Sequence, residues 1–138
     1  MFAEYHATLG AATFLMIMVV VQALVATGAH RSQKKVIPGV VDESLGHDSF
    51  VFRSHRTFMN SLENVPIALI SMLVAMMLGV SATLLSWGAW ILLGGRLLHM
   101  VLYYAIATEK NPSPRSYFYM VALLAQLYIL GLMVMAWF

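Results

Sequence analysis

Arg53, Arg56, Asn60 and Glu63 follow one another at steps of three, four and three residues. At 3.6 residues per turn, those steps set all four side chains on one face of a helix. The residues that follow Glu63 are apolar for about a bilayer thickness, so the stripe runs into a hydrophobic helix. Ionisable groups in such a place cost several kcal/mol each unless they find partners, which makes the stripe a candidate intramembrane site. The plainer reading is an ion pair that locks helices together. Two further clusters repeat the pattern. Arg96, His99 and Tyr103 share one helix face, and so do Arg115, Tyr119 and Gln126. Arg115 and Ser116 follow Pro112 and Pro114, which set a turn and a helix start. Backbone N–H groups at that start, together with Arg115, suit an anion such as a thiolate.

These clusters need long apolar helices to carry them, and the composition supplies them. The chain has 138 residues, is 61% hydrophobic and only 10% charged, outside the range of soluble domains of this size. Uncharged runs predict four membrane spans at about 7–29, 56–79, 83–108 and 115–137, folded as a single domain over residues 1–138. The fold class expected is an all-α integral membrane four-helix bundle. The first apolar run lacks the basic flank of a cleaved signal and reads as a retained span. Gln22 within it is expected to bond a neighbouring helix. The absence of cysteine excludes disulfides, a protein thiol nucleophile and cysteine-based metal sites. His99 has no second ligand at metal-binding spacing, so no metal is expected. A formal charge of +2 gives no argument for nucleic acid.

The lysines and arginines lie in the loops joining spans one to two and three to four and at the adjoining span ends, except Arg96, which lies within span three. By the positive-inside rule the loops joining spans one to two and three to four are cytoplasmic, and both termini lie outside. Trp87, Trp90 and Trp137 then serve as anchors on the outer side. A bacterial inner membrane and an internal eukaryotic membrane both satisfy this orientation. Arg96 falls well inside its apolar run, and Glu63 is its expected partner, each neutralising the other within the membrane. The long segment 30–52 is either a lid over the site or a solvated linker.

Taken together, Arg53, Arg56, Asn60, Glu63 and Pro66 on span two, Arg96, His99 and Tyr103 on span three, and Arg115, Ser116 and Tyr119 on span four form a pattern. It resembles the membrane-associated proteins in eicosanoid and glutathione metabolism, the MAPEG family, from about Arg31 to the C-terminus. The resemblance implies a homotrimer that binds glutathione as cosubstrate in clefts between subunits, near the cytoplasmic surface. It implies that Arg53, Arg56, Asn60 and Glu63 hold the carboxylates and amino group of the tripeptide, with His99, Tyr103 and Tyr119 completing the pocket. Arg115, assisted by Ser116, is implied to stabilise the thiolate for attack on a hydrophobic electrophile or lipid hydroperoxide. Met59 stands where some members carry an arginine that contacts glutathione, so substrate specificity is not carried over.

The chemistry is consistent with that picture. A thiol with a pKa near 8.5 is only a few per cent thiolate at neutral pH. An arginine in a partly dry site favours the thiolate. Two other readings share the span count. One is a small proton-coupled transporter that uses Glu63, which the nearby Arg56 and Arg96 disfavour. The other is a non-catalytic lipid-binding scaffold of the same fold.

Overall fold

The computed structural model describes residues 3–138. A short 3₁₀ turn, Ala3–Tyr5, leads into four helices: α1 (His6–His30), α2 (Phe50–Met77), α3 (Ala82–Ala105) and α4 (Pro114–Met135). All four are long and apolar enough to cross a membrane. Both termini and the α2–α3 turn share one end of the bundle. There Tyr5 donates to the Val80 carbonyl at 2.8 Å and Trp90 Nε1 donates to the Ala7 carbonyl at 3.1 Å. The turn itself depends on Gly79, whose φ of +71° is open to glycine at no steric cost. That conformation lets the Val80 N–H reach back to the Ala75 carbonyl at 3.1 Å and close the last turn of α2.

The tightest packing in the bundle lies between α3 and α4. Gly88 and Gly95 are seven residues apart, on one face of α3. A methyl group on Gly95 would lie 3.0 Å from both the Ala122 nitrogen and the Phe118 carbonyl oxygen, which are backbone atoms that cannot step aside. A methyl on Gly88 would lie 2.9 Å from Ile129 and Tyr128 side-chain carbons. Small residues at a helix crossing allow this approach where lipid gives little hydrophobic drive for association. Leu15, Met72, Leu85 and Ile129 fill the core, while Ile17, Val20, Ile70 and Leu124 cover the outside with apolar surface.

The helix limits differ from the spacing-based ones by more than two residues in two places. α2 begins at Phe50, six residues before the expected start. Ser49 is extended, and its carbonyl accepts the Arg53 N–H at 3.1 Å, so the helix opens ahead of its basic residues. α3 stops at Ala105, because Ile106 is already extended. The segment between α1 and α2 is ordered by its own polar bonds. The Gln33 amide nitrogen donates to His30 Nδ1 at 2.8 Å, and its oxygen accepts the Asp42 N–H at 2.8 Å. That fixes the proton on His30 Nε2, which donates to the Ile37 carbonyl at 2.9 Å. The Ser44 N–H and hydroxyl both donate to Asp42, holding its carboxyl below the usual range. Gln22 is fully buried, and neither end of its amide meets a partner among the described residues.

Candidate functional site

Tyr103, buried near the end of α3, is the point on which the candidate groups converge. The Arg115 guanidinium lies over its ring, 4.0 Å from the centroid. The His99 ring packs edge-on to it at 5.6 Å, and Tyr119 lies 6.2 Å beyond His99. His47, from the loop before α2, approaches Tyr103 at 5.8 Å. A cation over an aromatic face is held by the ring quadrupole, more strongly when dry. Arg115 is further tethered through Nη2, which donates to the Thr108 carbonyl at 3.3 Å. Its Nη1 is buried and has no partner among the described residues. A fixed cation with an unsatisfied N–H is what an anionic sulfur or oxygen requires.

The start of α4 aims Arg115. Pro114 takes the first helical position, and Ser113 and Ser116 form a reciprocal capping box. Ser116 Oγ accepts the Ser113 N–H at 3.2 Å and lies 3.0 Å from Ser113 Oγ. The Ser116 hydroxyl is therefore engaged in the cap. It supports the site by fixing the turn that carries Arg115, and when Ser113 is the donor between the two hydroxyls the Ser116 O–H stays available to donate.

The span-two stripe divides. Arg53 is only 9% exposed, and its Nη1 donates to the His47 and Asp48 carbonyls at 2.7 and 2.9 Å. Its Nη2 reaches the Tyr104 carbonyl at 3.4 Å. Within the chain Arg53 therefore pins the loop before α2 to the end of α3, and its Nε is buried with no partner among the described residues. Arg56 and Glu63 remain exposed on the outside of the bundle. Asn60 is half-buried beside them, with its side-chain oxygen buried and unpartnered.

The expected Glu63–Arg96 pair is not closed by direct contact within the chain, although the charge of Glu63 acts on Arg96 through space. Arg96 is 2% exposed, and its Nη2 donates to Ser61 Oγ at 3.0 Å; no ion pair joins it to Glu63. Ser61 and Glu63 are two residues apart and so about 200° apart around α2. The face that meets Arg96 therefore turns Glu63 outward. Arg96 Nε and Nη1 have no partner among the described residues. The guanidinium lines a cavity of about 30 Å³ with Asn64, Tyr119 and Gln126. Gln126 donates through its amide nitrogen to Ser71 at 2.9 Å, which leaves its oxygen buried and unpaired.

His47 carries no signal at helical spacing, since a loop residue is placed by contacts distant in sequence. Its ring also meets Phe52 edge-on at 4.9 Å, and its Nδ1 is buried without a partner. Burial holds its pKa below the ordinary histidine value. The charges of Arg115, Arg53 and Arg56 push the same way, while Glu109 pushes back.

A family model, the MAPEG family, matches residues 8–135. Among curated proteins and among solved structures nothing matches the chain. The chain belongs to the MAPEG family, and so to the membrane-associated proteins of glutathione and eicosanoid metabolism.

Proposed function

We propose that this MAPEG protein is a glutathione-dependent membrane transferase or peroxidase, which holds the glutathione thiolate against Arg115 for attack on a hydrophobic electrophile or lipid hydroperoxide. The observation that carries the reading is the Arg115 guanidinium, fixed over Tyr103 with Nη1 unpaired. In this reading an apolar substrate arrives through the bilayer, and orientation and charge stabilisation do the work, without a covalent enzyme intermediate. Arg56, Asn60 and Glu63 bind the polar ends of the tripeptide, the arginine taking a carboxylate and the glutamate the ammonium. Arg56 and Glu63 face away from their own bundle, and Asn60 is half-buried beside them. Polar groups at membrane depth face protein or a water-filled cavity, so a neighbouring subunit covers them, in a homotrimer with its sites between protomers. The loops joining α1 to α2 and α3 to α4 lie on the cytoplasmic side in this reading, where glutathione is available.

Thiolate absorbance in the ultraviolet tests the reading, recorded against pH with glutathione bound and no electrophile. The thiol of bound glutathione is expected to titrate below its free value of about 8.5, so thiolate is present at neutral pH. Arg115→Ala is expected to return the titration toward the free value and to leave about ten- to a hundredfold less thiolate near neutrality. The rate at saturating glutathione falls with it, more than the affinity does. An unchanged titration would remove Arg115 from the mechanism.

A further inference from the structure

We propose that His47 is the proton acceptor for the bound thiol, working from the Tyr103 ring that also carries Arg115. The inference rests on the glutathione reading above and goes beyond it, since stabilising a thiolate does not say where the proton goes.

Two unpaired atoms carry the argument. His47 Nδ1 and Arg115 Nη1 are both buried, both lack a partner among the described residues, and belong to groups packed on the same tyrosine. A guanidinium nitrogen can only donate, whereas a neutral imidazole has one nitrogen that accepts. With Nδ1 as the acceptor, the ring proton sits on Nε2. A thiol brought to this ring meets an acceptor for its hydrogen and a cation for its sulfur. The third group on Tyr103, His99, adds no negative charge that would oppose the thiolate.

The loop is built to hold this ring in place. Arg53 takes the carbonyls of His47 and Asp48 through one nitrogen and the Tyr104 carbonyl through the other, joining the loop to α3 at the level of Tyr103. Phe52 closes the other side of the imidazole. Ring packing alone would be served as well by phenylalanine, with no buried nitrogen left unpaired.

The step balances without another reactant. The S–H bond breaks, its proton forms an N–H bond at Nδ1, and the electron pair stays on sulfur opposite Arg115. The imidazolium then faces Arg115 from the start of α4 and Arg53 and Arg56 from α2, with only Glu109 from the α3–α4 loop in its favour. That balance holds the His47 pKa below the ordinary histidine value, which favours the neutral ring that accepts and the onward release of the acquired proton to water. The equilibrium amount of thiolate is set by Arg115; its rate of formation is set by His47.

Stopped-flow thiolate absorbance after mixing the whole detergent-solubilised protein with glutathione at neutral pH separates these roles. In His47→Gln the rate of thiolate appearance is expected to fall about a hundredfold or more, with the final amplitude and glutathione affinity near those of the parent. His47→Phe, which keeps the packing, is expected to be equally slow. Imidazole in the buffer is expected to restore part of the rate in His47→Ala, where a ring-sized space is left. Melting temperatures establish which variants are folded, and either Gln or Phe alone suffices. A parent-like rate in a folded variant, or a parent-like rate in His47→Phe, overturns the proposal while leaving the glutathione reading intact. If the parent itself forms no thiolate, both fall together.

Discussion

Arg53 and Arg96 are both buried arginines within helices of one small bundle, yet their surroundings are opposite. Arg53 stands three residues into α2, about 5 Å from its start, where loop carbonyls converge. Arg96 lies nine residues from the end of α3, about 14 Å along the helix. Three carbonyl oxygens accept from Arg53, whereas Arg96 has one hydroxyl and a small cavity. Near the helix ends, backbone that has left regular structure supplies acceptors. Deeper in, every carbonyl is already paired within its helix and only side chains can serve. A buried arginine is thus a clamp in one place and a largely unpaired charge in the other.

The sharpest way to break this comparison is to remove each guanidinium while keeping bulk. Arg53→Met leaves three part-buried carbonyls without their donor, and at about 1 kcal/mol each, the low end for groups that water can partly reach, the loss is expected to be about 3 kcal/mol. Reversible unfolding in mixed detergent measures it. Proteolysis in the 40–49 loop is expected to rise with it, because Arg53 is what ties His47 and Asp48 down. A loss below about 1 kcal/mol would mean the clamp contributes little.

Arg96→Met is expected to do far less. Its single hydrogen bond to Ser61 gives back about 0.5–1.5 kcal/mol, while desolvating the charge works against the fold. Apolar replacement of buried charge is often neutral or stabilising, so a change within about 1 kcal/mol of either sign is expected. A loss as large as that of Arg53→Met would show that Nε and Nη1 do have partners, supplied by ordered water or by a neighbouring subunit. The cavity is roomy enough for one water, and the Gln126 oxygen is a second polar contact for it.

The contrast also marks what spacing can carry. The four helices were legible because uncharged runs and the glycine turn at Gly79 are local signals, and so was the Arg96–His99–Tyr103 face. The helix start that aims Arg115 was legible from its prolines. The early start of α2 was not, because it depends on the Ser49 carbonyl and on Arg53 reaching back into the loop. Nor was the partner of Arg96. Periodicity tells which residues share a face of one helix, but not which way that face turns toward the next. His47 was hidden for a related reason, since its place is set by Tyr103, 56 positions along the chain.

The smallest expected effect concerns the partnership that spacing suggested most directly. In a double-mutant cycle on Glu63→Gln and Arg96→Met, the coupling is expected to stay below about 0.5 kcal/mol, near the additivity limit for residues that do not touch. The geometry leaves little room for more: Arg96 is bound to Ser61, and the outward-turned Glu63 acts on it only through space, without a direct contact. A buried ion pair would behave otherwise, since each single variant would strand a charge at a loss of about 3–5 kcal/mol and the double would recover much of it. Glu63→Gln is instead expected to weaken glutathione binding while leaving stability without ligand nearly unchanged, because its carboxylate is turned outward. If the cycle in the native assembly shows strong coupling that disappears when the subunits are dissociated in detergent, the partner of Arg96 is the Glu63 of a neighbouring protomer. In that case the two buried arginines differ in what supplies their acceptors, the chain itself for Arg53 and the assembly for Arg96.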